Sequence, residues 1–352
     1  MRKASMLMTV TALPVKAASL ERCFLVPTPY LSITMSSSPI DPSSPMNWKR
    51  SGASRSLDTG FYWVTGAFAV SIAIILFTIA IQVGHDALPA IQQFGARFIV
   101  ESRWDPVANI YGAWPQVYGT LVTSLIALAL AVPVGVGVAL FLSEDFLPPR
   151  IQQPIVFLVE LLAAIPSVVY GLWGIFVLIP ILNPIGLWLN RNFGFIPLFK
   201  TPPAGPGLYV AGIILAIMIL PIIAAISRDA LISVPPELRQ AAYGLGATRW
   251  ETIFQVVLPA AISGIIGGIM LALGRAMGET MAVTMVIGNS NRVTGSILDS
   301  GSTVSSLLAN QFAEAGGLQI SSLMYAALIL FGLTLLVNVL AEVIVRHFRL
   351  NL

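Results

Sequence analysis

The sequence predicts an all-α integral membrane protein whose chain crosses the bilayer six times. Hydrophobic residues make up 56% of the 352 residues and charged residues only 10%, whereas soluble domains carry about 25% charged residues. The mean hydropathy is +0.85. Six runs are apolar over the length of about 20 residues that a transmembrane helix needs. Together these observations indicate a bundle of membrane-spanning helices.

The start of the chain is predicted to be a disordered tail. Residues 1–57 are basic, rich in Ser and Pro, and lack a steady apolar period, a composition that does not support a packed core. A cleaved signal peptide is the other interpretation. We disfavour it because cleavage would leave Lys49, Arg50 and Arg55 on the extracytoplasmic side of the first span. Met46 is an alternative translation start, which would remove most of the tail.

The spans follow in order, separated by turns and loops of different lengths. We place them at residues 61–83, 116–142, 154–182, 208–226, 259–287 and 321–345. A polar segment after the first span carries Trp104 and Trp114, which suit a membrane interface. Residues 143–150 form a tight polar turn, residues 183–207 an excursion along the bilayer surface, and residues 288–318 a polar loop.

The distribution of basic residues predicts the orientation. Lys49, Arg50 and Arg55 directly precede the first span, and such residues favour the cytoplasmic side. Six spans then return the C-terminus to the cytoplasm and place the loop 228–258 there as well.

Several kinds of site are excluded by the residue inventory. The two histidines, His85 and His347, fall on opposite sides of the membrane in this topology, so they cannot share a metal site or a catalytic triad. Cys23 is the one cysteine, which excludes an intrachain disulfide. No lysine stands in a Gly-x4-Gly-Lys-[Ser/Thr] motif, so the chain has no phosphate-binding P-loop of its own. We expect no catalytic residue and no cofactor in this chain.

The loop 228–258 has the signals of two short helices. Two prolines open the first helix at a position where a missing N–H costs nothing. Glu237 then lies where a negative charge favours the helix dipole. Gly244 and Gly246 end the helix, since glycine adopts the left-handed cap conformation without strain. Thr248 and Glu251, three residues apart, form a capping box that opens the second helix.

The spacing of residues in this loop resembles the EAA loop of ABC-transporter permeases. The matching residues are Gln240-Ala241-Ala242, then Gly246, Val256 and Leu258-Pro259. Gln240 replaces the usual glutamate and Val256 the usual isoleucine. The resemblance implies a six-helix type I importer permease fold, with a coupling helix that docks on a separate ATP-binding subunit. Glu237, Gln240, Ala241, Ala242 and Gly246 would make that contact.

The segment that follows, GRAMGETMAVTMVIGN, is similar to the phosphate-specific permeases, and to their C-type subunit in particular. The resemblance implies a second homologous permease, two ATP-binding subunits that hold ATP and Mg, and an extracytoplasmic phosphate-binding protein. The implied function is phosphate import across the inner membrane. The alternatives are a permease for sulfate, molybdate or tungstate, and a membrane component of phosphate sensing.

Arg275 and Glu279 are the candidate substrate-binding residues. Both lie in the fifth predicted span, where a charge is costly unless it faces protein or water. Standing four residues apart on one helix face, they are expected to pair. A purely structural ion pair is one interpretation. The other is an anion site, in which the Arg275 guanidinium binds an oxyanion bidentately and Glu279 neutralises it when the site is empty.

Small residues recur every four positions along the same predicted helix. Such ridges let transmembrane helices approach closely. The ridge consists of Gly264, Gly268, Ala272, Ala276 and Thr280.

Overall fold

The computed structural model describes residues 52–144 and 146–349, with side chains over 59–144 and 146–343. The predictions for residues 1–51, including the alternative start at Met46, lie outside the described residues. Within the described part the chain is helical and contains no β-strand. Six of its helices are long and apolar enough to cross a membrane, which confirms the predicted number. They are Thr59–Phe94, Trp114–Ser143, Ser167–Phe193, Leu208–Ile232, Arg249–Gly278 and Leu318–Val343.

The first helix is longer than predicted at both ends. Helix α1 extends over Gly52–Phe94, so it begins inside the predicted tail and continues through residues assigned to the following polar segment. The chain divides into the units Met1–Val64 and Thr65–Leu352. The described part of the first unit is the start of α1, and the elements below belong to the second.

The segment after α1 is packed rather than surface-associated. The short helix α2 (Arg97–Val100) places Phe98 against Tyr325, with ring centroids 4.5 Å apart. Trp104 is buried, and its indole N–H donates to Gln311 Oε1 at 2.7 Å. The polar edge of Trp104 is thus satisfied by a hydrogen bond inside the protein, and its position at the membrane interface stays a prediction.

The second span is helix α3 (Trp114–Ser143), close to the prediction. The third span lies later than predicted. The chain forms one helix, breaks at Pro166, and then crosses as a single irregular helix with a π-helical turn at Gly174–Leu178. Pro166 disfavours helical conformation in the residue before it, and Tyr170 Oη donates to the Leu162 carbonyl near the break at 2.9 Å. The helices are α4 (Pro149–Ala163), α5 (Ser167–Trp173) and α6 (Ile179–Phe193).

Helix α7 (Leu208–Ile232) is the most buried span and packs along α3. Glycines allow the close approach. A Cβ atom at Gly212 would lie 2.6 Å from Ile126, and one at Gly135 would lie 2.9 Å from Ile223. The side chain of Ile223 is fully buried there. The two helices form the centre of the main hydrophobic core.

The predicted fifth span, 259–287, is wrong at both ends. Helix α9 (Arg249–Thr252) continues through a π-helical turn at Ile253–Val257 into α10 (Leu258–Gly278). The π turn accommodates Pro259, whose missing N–H would interrupt a regular helix. The helix ends at Gly278, and a separate short helix, α11 (Met281–Val286), follows.

The long loop before the last span is also ordered by backbone pairing. The Leu208 and Tyr209 N–H groups donate to the carbonyls of Asp299 and Ile297 at 3.0 and 2.9 Å. Ser302 is buried. Its carbonyl lies so close to Gly119 that a methyl group there would overlap it. Helices α12 (Val304–Gln311) and α13 (Leu318–Arg349) complete the chain.

Candidate functional site

The first candidate region is the loop between α7 and α10, which folds as its sequence predicts. Helix α8 (Pro236–Gly244) begins after Pro235. It ends where Gly246 adopts a left-handed φ of +87° and the Ala247 N–H donates to the Ala242 carbonyl at 3.1 Å. A Cβ atom at Gly246 would meet nothing within 4 Å. The glycine is therefore required for its backbone conformation and not for a close contact.

The capping box at the start of α9 is confirmed. The Thr248 N–H donates to Glu251 Oε2 at 2.7 Å, and the Glu251 N–H donates to Thr248 Oγ1 at 3.4 Å. Two of the backbone donors at this helix end are thereby satisfied.

The five predicted coupling residues lie together on and just after α8, but they do not share one face. Glu237, Gln240, Ala241 and Gly246 are exposed. Ala242 is buried, so its small side chain allows α8 to pack inward. The four exposed residues are free to contact another subunit.

Large apolar side chains on the same loop form an exposed patch that the sequence reasoning missed. Leu245 is 90% exposed, and Tyr243, Trp250 and Phe254 are about half exposed. Exposed apolar patches of this kind mark protein interaction sites. The available signal was the set of large apolar residues close to Gly246 and the start of α9.

The second candidate region is a cavity at Arg275. It has a volume of about 720 Å³ and is lined by α7, α10 and α13. Arg275 is exposed toward this space, while the adjacent Ala276 and Met277 are buried. Within the described residues Arg275 forms no ion pair with an acidic side chain. An arginine in a membrane-spanning helix is thus directed at an open space between three helices.

The expected pairing of Arg275 with Glu279 is wrong. The helix ends at Gly278, and Glu279 has extended backbone angles, φ −67° and ψ 126°, which remove the four-residue helical register. Glu279 Oε1 instead accepts from the Ala282 N–H at 3.4 Å, at the start of α11. The carboxylate therefore accepts one N–H of the first turn of the next helix, whose N-cap residue is Thr280.

Two other polar residues share the cavity with Arg275 and were not identified from the sequence. Asn338 and Glu342 stand four residues apart on α13 and line the same space. Their spacing places them on one helix face. A polar pair at that spacing within an apolar span was the signal. The cavity thus contains a guanidinium, an amide and a carboxylate.

Four members of the predicted small-residue ridge lie on α10, which packs closely against α7. Thr280 does not belong to this ridge, because α10 ends at Gly278. A Cβ atom at Gly264 would lie 2.5 Å from Ala230 Cβ, and one at Gly268 would lie 3.0 Å from Ile226. Ala272 and Ala276 are buried along the same face. This packing fixes one side of α10 and leaves Gly267, Gly274 and Arg275 on the cavity side.

Comparisons with known proteins give consistent results. Residues 131–350 match the family model described as the binding-protein-dependent transport system inner membrane component. The chain is 43% identical over 301 residues to the phosphate transport system permease protein PstC of Haemophilus influenzae, covering 83% of this chain and 94% of that protein. It is 44% identical over 291 residues to PstC of Mesorhizobium japonicum, covering 81% and 89%.

A solved structure shows the same fold at low sequence identity. A bacterial ABC transporter involved in the import of the acidic polysaccharide alginate aligns with a TM-score of 0.55 and 16% identity, over 83% of this chain and 98% of that chain. The family consists of membrane components of transport systems, so the chain is a transport subunit rather than an enzyme. The chain belongs to the family of binding-protein-dependent transport system inner membrane components.

Proposed function

We propose that the chain is a permease subunit of an ATP-driven importer of inorganic phosphate. The observation that carries the substrate assignment is the exposed Arg275 side chain in a cavity between three membrane helices. The similarity to permeases named for phosphate transport supports the same substrate.

The chemistry of the cavity suits a protonated oxyanion. The Arg275 guanidinium offers several N–H donors in a planar arrangement that matches two oxygens of a tetrahedral anion. The Asn338 amide provides one donor and one acceptor group. The Glu342 carboxylate accepts a hydrogen bond from a protonated phosphate oxygen, which sulfate lacks at neutral pH. Glu279 supports this site indirectly by fixing the helix break that follows Arg275.

The loop 228–258 is proposed to couple transport to ATP hydrolysis in a separate subunit. Its exposed residues Glu237, Gln240, Ala241 and Gly246, with the apolar patch around Leu245, form the contact surface. The complex would contain a second permease, two ATP-binding subunits that hold ATP and Mg, and an extracytoplasmic phosphate-binding protein. The basic residues before the first span support cytoplasmic N- and C-termini.

Uptake into vesicles that contain the reconstituted complex tests this proposal. We expect phosphate import that requires ATP and the binding protein, and little import of sulfate, molybdate or tungstate. Import of one of those anions in preference to phosphate would refute the substrate assignment. ATP hydrolysis without import of any anion would instead favour a sensing function.

Variants at Arg275 test the site itself. Arg275→Gln is expected to abolish uptake in a complex that still assembles and hydrolyses ATP. Arg275→Lys is expected to retain part of the uptake, because a point charge attracts phosphate without the bidentate geometry. Arg97→Gln, at an exposed position outside the cavity, is the matched control. Normal uptake by Arg275→Gln would refute the binding role.

A further inference from the structure

The turn between α3 and α4 contacts both helices of the loop 228–258. From the sequence, residues 143–150 are predicted only to form a tight polar turn. In the structure Glu144 is 7% exposed, and its Oε1 atom lies 3.0 Å from Arg239 Nη2 on α8. A buried carboxylate is strongly unfavourable without a cation. The contact therefore holds α8 at the end of α3.

Arg239 also joins a second span to the same point. Its Nη2 atom donates to the Leu231 carbonyl at 3.0 Å, in the last turn of α7, where helix carbonyls lack partners within the helix. The Leu231 side chain is fully buried. One guanidinium on α8 thus contacts the ends of both α3 and α7.

The aromatic residue two positions later contacts the other helix of the loop. The Arg249 guanidinium carbon lies 3.9 Å from the centroid of the Phe146 ring, within the range of a cation–π interaction. The Phe146 ring also packs against Trp250 with centroids 5.6 Å apart. It also stacks on Phe141 of α3, with centroids 5.8 Å apart.

A small hydrophobic core lies where these helix ends meet. Its buried members come from α3, the end of α7 and the following turn, and the α9–α10 helix. They are Ala139, Leu231, Val234, Val257, Ala261 and Ile265. Close packing of this kind resists independent movement of the elements that share it. The polar and aromatic contacts of the turn therefore add to a joint that is already packed.

We infer that Glu144 and Phe146 are positioning residues that connect both helices of the loop 228–258 to span α3. Through them, a displacement of α8 and α9 by the ATP-binding subunit moves α3 together with α7 and α10. The inference rests on the proposed coupling function of the loop. It adds a structural connection through which movement of the loop reaches α3, a helix that is remote from the loop in sequence.

The test compares ATP hydrolysed per phosphate imported by the reconstituted complex. Glu144→Gln and Arg239→Gln are expected to raise this ratio by about threefold to thirtyfold, with the ATP-binding subunits still recovered in the complex. Arg97→Gln, at an exposed position in another ion pair, is the matched control and should leave the ratio unchanged.

Each alternative outcome is informative. A wild-type complex that imports no phosphate overturns the proposed function, and this inference with it. Single variants that import phosphate at the wild-type ratio overturn the inference alone. Loss of the ATP-binding subunits from the variants also overturns it, because the contacts would then shape the docking surface. If the charge variants are not recovered from the membrane, Phe146→Leu, which leaves no charge unpaired, tests the inference instead. A wild-type ratio of ATP hydrolysed to phosphate imported in this variant would overturn it.

Discussion

The loss of stability caused by Glu279→Gln distinguishes two roles of this carboxylate, a hydrogen-bond acceptor at the start of α11 and an ion-pair partner of Arg275. Glu279 Oε1 accepts one long hydrogen bond, 3.4 Å from the Ala282 N–H, and glutamine keeps an acceptor at that position. Loss of an N-cap costs about 1 kcal/mol, so we expect the substitution to cost less than about 1 kcal/mol, or about fivefold in the folded population. If the carboxylate instead neutralised Arg275, its removal would strand a charge and cost about 3–5 kcal/mol, roughly 150- to 5000-fold.

The measurement is the amount of intact complex recovered in detergent and its thermal unfolding midpoint. Glu279→Gln is expected to match the wild type closely in recovery and unfolding midpoint. Glu279→Ala removes the acceptor and is expected to lower both slightly more. Phosphate uptake by both variants should follow the amount of assembled complex. Collapse of assembly in Glu279→Gln, with rescue by a second substitution that removes the Arg275 charge, would refute the role as a hydrogen-bond acceptor.

Three further substitutions test the topology, the loop and the packing. In a Cys23→Ser background, a single cysteine at Val107 should react with an impermeant thiol reagent from outside and one at Ser233 only from inside, both positions being exposed; reaction of both from outside would contradict the topology. Gly246→Val places a β-branched residue at φ +87°, costs about 1–2 kcal/mol, and should weaken recovery of the ATP-binding subunit; full recovery and uptake would argue against the coupling function. Gly119→Ala pushes a methyl group onto the Ser302 carbonyl and should cost about 1–3 kcal/mol, seen as a lower unfolding midpoint, whereas Gly137→Ala, which meets nothing within 4 Å, is the control that should not.

The features predicted correctly from the sequence depend on residues close together in the chain. The capping box needs only Thr248 and Glu251, and the end of α8 needs only a glycine that tolerates a positive φ at position 246. The small-residue ridge on α10 depends on a period of four along one helix. Each of these follows from backbone geometry within one or two turns, so a single sequence contains the necessary information.

The wrong helix boundaries arise where the same residue type acts differently in different surroundings. Pro133, Pro154 and Pro221 lie inside helices, whereas Pro166 ends one. A proline within a membrane helix is tolerated where neighbouring groups satisfy the freed carbonyl. Hydropathy contains no information on those neighbours. The predicted third span, 154–182, therefore crosses the break at Pro166.

The composition of the Arg275 cavity was missed for a similar reason. Glu279 is near Arg275 in sequence but is turned away by the helix break, whereas Glu342 is 67 positions later and lines the same space. Its position depends on how α13 packs beside α10. A sequence pattern constrains which face a residue occupies on its own helix, but it does not determine which helix that face meets.

The α9–α10 helix connects the loop 228–258 directly to the Arg275 cavity. In the predicted topology the fifth span began only at residue 259, after that loop. Arg249, which contacts Phe146, and Arg275, which faces the cavity, lie near opposite ends of the span Arg249–Gly278. At 1.5 Å per residue they are about 39 Å apart along its axis. Gly264 and Gly268 hold the middle of this helix against α7, so a displacement imposed at α9 is expected to move α10 and α7 together. The break at Glu279 follows immediately, so the Arg275 end moves without carrying α11 as part of one rigid helix. A helix packed at its middle and ended just beyond the arginine is therefore suited to change access to the proposed anion site when the loop 228–258 moves.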